Sequence, residues 1–249
     1  MNAQSIDQVI NDLDKIIQET KESKSRLGYF AALYRKVTIE VKKGINEGRF
    51  DDGERMEKLD VIFANRYLEA FHQYKNAENP SQAWKLAFDT TQHWRPTVLQ
   101  HLLIGMNAHI YLDLGIAAAQ CVENRDISSL RGDFDKINQI LASLLNEVQQ
   151  DLAKVWPLLK FFDLAVDDLD EILSRFGIEL ARGHAWQVAK DIVVCTPEET
   201  ETKIHELDQE TYRLGKMILA PGKLLQMTLL IVRLGELGTV PKTIAILED

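Results

Sequence analysis

The sequence predicts an all-α protein, folded as a single domain of about eight to ten helices over residues 1–249. Apolar residues recur at three- and four-residue steps along most of the chain, which is the spacing of one helix face. No long stretch alternates apolar and polar residues as a strand does, and the β-leaning pieces are short, at 191–194 and 243–247. There is no repeat, low-complexity tract or long linker, so we expect one domain.

The first half of the chain contains four predicted helices and the start of a fifth. Ser5 and Gln8 resemble a capping box at the start of the first helix. The second is expected over about 27–46, and the third from after Asp51-Asp52 to about 76. Pro80-Ser81 starts the fourth. Pro96 opens the fifth, over about 97–123, because proline in a first turn loses no helical hydrogen bond.

The second half continues the pattern after a polar loop at 124–132. A sixth helix is expected over about 133–155, with Pro157 ending or kinking it. A seventh runs from Val166-Asp167 to about 194. The stretch Thr196-Pro197-Glu198-Glu199 combines a cap, a first-turn proline and two acids, so it starts another helix, reaching 219. Ala220-Pro221-Gly222 separates it from a last helix over about 223–237.

Composition excludes several classes of protein. The formal net charge is -9, which disfavours nucleic-acid binding. The two cysteines, Cys121 and Cys195, have no metal-ligand spacing and fit a reducing cytoplasm. The N-terminus is not of the signal-peptide type, and apolar runs such as Met227–Val232 fall far short of the ~20 residues that span a bilayer. We therefore expect a cytoplasmic protein that binds neither membrane nor nucleic acid. Glycine-rich phosphate loops, GxSxG and HExxH are absent.

The stretch HLLIGMNAHIYLD, residues 101–113, is apolar enough for burial yet contains several polar side chains. His101, His109 and Asp113 fall on one side of an α-helix, because they are separated by multiples of four residues. Four residues rise ~6 Å and eight rise ~12 Å, so His109 and Asp113 can share one ligand while His101 stands apart. Asn107 faces the opposite way, which indicates a helix surrounded by protein at the centre of the bundle.

One hypothesis is a metal-assisted hydrolase. Imidazole and carboxylate groups suit zinc, iron or manganese, and His109 with Asp113 would supply two ligands. Asp133 and Asp135, at the start of the next helix, would supply the others. His101 would then act as a general acid or base.

Two alternatives remain open. The same polar set, with Asn107, would orient a small-molecule ligand without catalysis, or it would be a structural network that fixes helix register. Arg66 lies among apolar neighbours and needs a carboxylate partner, either Asp113 or Asp133, so its role is catalytic or structural. Further on, Arg182 and Trp186 share a helix face, whereas His184 is expected to be exposed. The substrate and the oligomeric state are not defined by these residues.

The chain resembles an uncharacterised, mainly bacterial family classed as a domain of unknown function. The similar stretches include GYFAALYRKVT, FDDGERMEKLDVIFANRYLEAF, LQHLLIGMNAHIYLDLGIA, DFDKINQIL and ARGHAWQVA. The resemblance implies a single helical domain and no particular activity. A fainter likeness, to the helical zinc-dependent phospholipase C group and related nucleases, rests on the His109–Asp113 spacing. The HxxGD pattern of that group is absent, because Gly105 follows His101 four places on.

Overall fold

The computed structural model describes residues 2–122, 126–155, 177–236 and 238–249. Every regular element in these ranges is a helix, so the all-α prediction is confirmed. The α-helices are α1 (Ile6–Glu22), α2 (Gly28–Asn46), α3 (Gly53–Lys75), α4 (Gln82–Thr90), α5 (Val98–Met106), α6 (Leu114–Cys121), α7 (Arg131–Val155), α8 (Ile178–Val193), α9 (Pro197–Leu219), α10 (Lys223–Gly235) and α11 (Val240–Glu248). A π-helical segment, Asn107–Asp113, joins α5 to α6, and a 3₁₀ turn, Ile127–Leu130, precedes α7.

Three helix starts follow from the cap residues in the sequence. The Ser5 hydroxyl accepts from the Gln8 amide at 3.3 Å at the start of α1. Thr97 and Thr196 each form a complete capping box. The threonine hydroxyl accepts from the amide of the third helical residue, and the side chain of that residue accepts from the threonine amide. These bonds satisfy amide groups that have no partner inside a helix. The expected helix start at Val166-Asp167 and the break at Pro157 lie outside the described residues.

The fifth predicted helix is one continuous helical run, Val98–Cys121, at the centre of the bundle. It has a mean hydropathy of 1.4 and is long and apolar enough to cross a membrane, but 83% of the tested window is buried inside the protein. Helices α2, α3, α4, α8 and α9 pack around it. The run is therefore the core helix that the sequence predicts.

Two glycines of this run set how closely its neighbours approach. A Cβ atom added to Gly105 would lie 2.5 Å from the Phe30 ring of α2. A Cβ added to Gly115 would lie 2.6 Å from the backbone oxygen of Ala185 in α8. Only a residue without a side chain fits at these contacts, so α2 and α8 rest directly on the central backbone.

The C-terminal region differs from the prediction. Residues 243–247, which we expected to lean toward β-structure, belong to α11. Burial explains the difference, because Ile244 and Leu247 are completely enclosed and α11 packs against α1, α2 and α7. Before it, α10 buries Leu229 and Val232 but leaves five large apolar side chains exposed, including Leu224.

Candidate functional site

Asp113, at the end of the π-helical segment, forms a buried ion pair with Arg66 of α3. The Arg66 Nε donates to Asp113 Oδ1 at 2.7 Å, and the Trp84 Nε1 of α4 donates to Oδ2 at 2.7 Å. Asp113 is 1% exposed. Arg66 thus has the carboxylate partner that its apolar surroundings require. Of the two expected partners, Asp113 and Asp133, the structure pairs it with Asp113. The carboxylate joins three elements and has both oxygens occupied.

Asp133 and Asp135 do not lie beside this pair. Asp133, in the first turn of α7, accepts from the backbone amides of Asp51 and Asp52 at 2.7 and 3.0 Å. These hydrogen bonds, with those from Lys136 and Arg55, offset its burial and lower its pKa. Asp135 forms a partly exposed ion pair with Arg131 at 2.6 Å.

The predicted metal centre is therefore not assembled from His109, Asp113, Asp133 and Asp135. Within the described ranges, no group of three or more His, Cys, Asp or Glu side chains could hold a metal ion. The physical reason is that each carboxylate is used locally: Asp113 by Arg66 and Trp84, Asp133 by the backbone before α3, and Asp135 by Arg131.

His109 instead lies in a box of aromatic rings. Its ring stacks on Phe63 with a centroid distance of 3.6 Å and meets Tyr34 edge-on at 4.3 Å. Phe30, Trp84 and Tyr67 complete the surroundings at 5.5, 6.0 and 6.4 Å. His109 is 3% exposed, and neither ring nitrogen has a hydrogen-bond partner. Phe63 covers one face of the imidazole, and the polar edge of the ring is left unsatisfied.

Three further buried polar groups also lack partners, namely the hydroxyls of Tyr34 and Tyr67, whose rings contact His109, and the Oδ2 of Asp60, whose charge acts on Tyr34. The Thr38 hydroxyl donates to the Tyr34 carbonyl at 2.9 Å and also lies close enough to the Tyr34 phenol to act on its pKa. Tyr67 lies two turns beyond Asp60 on α3, and both helices that carry the tyrosines face the π-helical segment. We call His109, Tyr34, Tyr67 and Asp60 the His109 site. Such a concentration of unsatisfied buried groups is unusual in a folded core.

Burial determines the protonation of the His109 site. Desolvation, then the Arg66 charge, lowers the pKa of His109 well below its ordinary range, so the ring is neutral. Desolvation raises the pKa of Tyr34 and Tyr67, which keeps both phenols protonated at neutral pH. Desolvation, with a smaller contribution from Glu57, raises the pKa of Asp60 to about 7. At neutral pH the site offers two hydroxyl donors, one imidazole donor and one imidazole acceptor.

The π-helical segment explains why the expected His109–Asp113 pair is not formed. A π-helix bonds each amide to the fifth preceding carbonyl, so four-residue neighbours no longer align as on an α-helix. His109 turns toward α2 and α3, while Asp113 turns toward Arg66 and Trp84. Single π-helical turns occur frequently at functional sites.

The other predicted site residues serve different contacts. The Asn107 amide donates to the Thr211 carbonyl of α9 at 2.8 Å, on the opposite side from the aromatic box, as its position in the sequence predicts. His101 lies nearer the start of α5 and meets Tyr29 edge-on at 5.7 Å. His184 is half-buried and stacks on Tyr111 at 3.8 Å, so the expectation that it is exposed is wrong. Tyr111, in the π-helical segment, provides the ring on which His184 stacks.

Sequence reasoning missed Tyr34, Tyr67 and Asp60 as members of the site. Aromatic residues at helical spacing usually belong to the core, and these also do. The available signal was Asp60 within the apolar face of α3, one polar residue beside Leu59, Ile62 and Phe63. A carboxylate in that position needs a partner, as Arg66 does.

Together these features define an all-helical protein with a buried polar site on its central helical run. The chain belongs to a family of unknown function, DUF5995, whose model matches residues 6–221. The matched range contains the complete His109 site. Neither the curated proteins nor the solved structures gave a match to this chain.

Proposed function

We propose that the protein binds a small, uncharged polar molecule at the His109 site. The observation that carries this proposal is the lack of any partner for both ring nitrogens of His109 beside the unpartnered hydroxyls of Tyr34 and Tyr67. A buried polar group without a partner costs about 1–3 kcal/mol. Four such groups in one place are accounted for when a ligand supplies their hydrogen bonds.

The geometry limits the kind of ligand. Phe63 already covers one face of His109 at 3.6 Å, so a ligand reaches the ring at its edge, where the nitrogens lie. The neutral ring both donates and accepts, and the two phenols donate. A molecule with one donor and two or more acceptors, such as an amide or a urea, matches that set. The charges of Arg66 and Asp113 balance each other, so this ion pair does not attract an ion to the site.

This proposal replaces a metal-assisted hydrolase as the preferred function. The carboxylates that hypothesis requires are held by Arg66, Trp84, Arg131 and backbone amides, and freeing Asp113 would leave the Arg66 charge without its partner. The proposal keeps the protein in the cytoplasm, where its two free cysteines remain reduced.

The test uses nuclear magnetic resonance of protein labelled with ¹⁵N-histidine, titrated with acetamide, N-methylurea and imidazole. At least one probe should shift the His109 ring signals in a saturable way. The double substitution Tyr34→Phe with Tyr67→Phe should weaken that binding at least tenfold, since it removes two donors and no aromatic ring. Tyr74→Phe, on the same helix outside the site, is the matched control and should leave binding unchanged.

Stability measurements test the alternative, in which the His109 site binds no ligand. If the site binds no ligand, His109→Phe removes two unsatisfied nitrogens and should raise the free energy of unfolding by about 1–3 kcal/mol. That result, together with unshifted His109 signals for all three probes, would show a purely structural core and would overturn the proposal.

A further inference from the structure

A second polar cluster lies where α5 begins, built largely from the C-terminal region. The Val98 amide, in the first turn of α5, donates to Glu236 Oε1 at 2.7 Å. The Arg233 Nη1 donates to Glu236 Oε2 at 2.9 Å, and the Arg233 Nε donates to the Trp94 carbonyl. Glu236 thus places a carboxyl group at a helix N-terminus, where burial raises its pKa to about 7 although the Val98 amide and Arg233 favour its charged form.

His101 and Arg26 complete this cluster. His101 is 6% exposed, and neither of its ring nitrogens has a hydrogen-bond partner. Tyr29 packs edge-on against it at 5.7 Å. Arg26, just before α2, donates from Nη1 to the Thr91 carbonyl at 3.1 Å and forms no ion pair within the described part of the chain.

The charges of the cluster do not balance. Arg26 and Arg233 contribute two positive charges, and Glu236 contributes one carboxylate that is already bonded to Arg233 and to the α5 amide. Burial, with smaller contributions from the charges of Arg26 and Arg233, lowers the pKa of His101 to about 3. The ring is therefore neutral and has one N–H to donate.

We propose that His101, Arg26 and Arg233 form a second binding site, at the start of α5, for a small carboxylate ligand. One ligand oxygen accepts from the His101 ring N–H, and the other accepts from the guanidinium groups of Arg26 and Arg233. Glu236 shows that a carboxylate is accommodated at this end of the helix. A carboxylate suits the site better than a cation, because both arginines repel positive charge.

This site is separate from the His109 site. The two histidines are eight positions apart along the central helical run, and Gly105, between them, packs closely against the Phe30 ring of α2. Arg233 and Glu236 also follow residue 221, where the match to the family model ends. The second site therefore depends on a segment that the family model does not include.

The experiment titrates ¹⁵N-histidine-labelled protein with sodium acetate, with sodium chloride added to hold the ionic strength constant. The ring signals of His101 should shift to saturation, while those of His109 stay in place. Arg26→Gln should weaken acetate binding at least tenfold. Arg95→Gln, an exposed arginine on the neighbouring loop, is the matched control and should bind acetate as the unaltered protein does.

A further variant and a second anion test the proposed carboxylate site. Glu236→Gln removes the competing internal carboxylate, so it should strengthen acetate binding while circular dichroism confirms the fold. Inorganic phosphate, tested in the same way, distinguishes a carboxylate site from a general anion site, and equal or tighter phosphate binding would overturn the assignment to carboxylates. An unshifted His101 signal, or a shift that persists in Arg26→Gln, would overturn the site itself. Loss of acetate binding leaves the amide titration at His109 unaffected.

Discussion

At the scale of single residues, His109 and Asp113 have separate roles although the sequence places them as a pair. Asp113 carries a charge and has a complete set of partners in Arg66 and Trp84. His109 is neutral and has none. Buried charges are stable only when they are paired, whereas an unpaired neutral ring in a core is tolerated at a smaller cost. The carboxylate therefore belongs to the framework, whereas the His109 ring nitrogens are left without a hydrogen-bond partner.

The framework role of Asp113 predicts a large loss of stability in Asp113→Asn. The substitution leaves the Arg66 charge without a carboxylate and should lower the free energy of unfolding by about 2–4 kcal/mol, less than for a fully enclosed pair because the Arg66 side chain is 27% exposed. Asp135→Asn breaks the partly exposed pair with Arg131 and should change stability by less than about 0.5 kcal/mol. Urea unfolding of both variants checks this, and equal effects would contradict it.

Asp60 predicts a specific pH dependence. Its pKa in the folded protein is about 7, above the ordinary 3.8, so folding retains a proton that the unfolded chain releases. The contribution of Asp60 is complete below pH 4 and is lost as the pH rises toward 7. Between pH 5 and pH 8 the free energy of unfolding should fall by about 2–3 kcal/mol more than in Asp60→Asn. Parallel slopes for the two proteins in urea unfolding would refute this assignment.

At the scale of elements, periodicity and cap residues were sufficient to predict most helices. The capping residues Ser5, Thr97 and Thr196 mark starts that the structure confirms. The π-helical segment was not predictable, because NAHIYLD fits an α-helix equally well and only tertiary packing selects the wider turn. That one local change altered which side chains meet, so His109 and Asp113 do not form the pair that α-helical spacing predicts.

Close packing between α6 and α8 predicts opposite effects for two glycines. In Gly115→Ala the new Cβ meets the Ala185 backbone oxygen at 2.6 Å, an atom that cannot move aside, so we expect a loss of about 1–3 kcal/mol. In Gly183→Ala, an exposed position inside α8, the Cβ meets nothing within 4 Å, so higher helix propensity should stabilise by up to about 1 kcal/mol. Thermal unfolding compares the two, and a neutral Gly115→Ala would show that α8 can shift.

At the scale of the whole molecule, the packed core extends beyond the range of the family match. That match ends at residue 221, but α11 closes the core formed by α1, α2 and α7. The β-branched residues of 243–247 predict a tendency toward β-structure. The segment forms a helix instead, because this conformation buries its apolar side chains against the other helices. Sequence periodicity predicts elements well when one face is polar, and α11 is too short and too apolar to show such a face.

This packing predicts that the C-terminal helix is required for stable folding. Ile244→Ala removes a fully buried side chain that contacts the start of α2 and should lower the free energy of unfolding by about 2–4 kcal/mol. Leu224→Ala, at a position 83% exposed on α10, is the control and should change it by less than about 0.5 kcal/mol. A chain ending at residue 222 also lacks the Glu236 bond to α5, so it should be less stable than Ile244→Ala. Urea unfolding followed by circular dichroism measures all three proteins. If the shortened chain unfolds with the stability of the full chain, residues 223–249 are an independent appendage, and the carboxylate site at the start of α5 loses its structural basis.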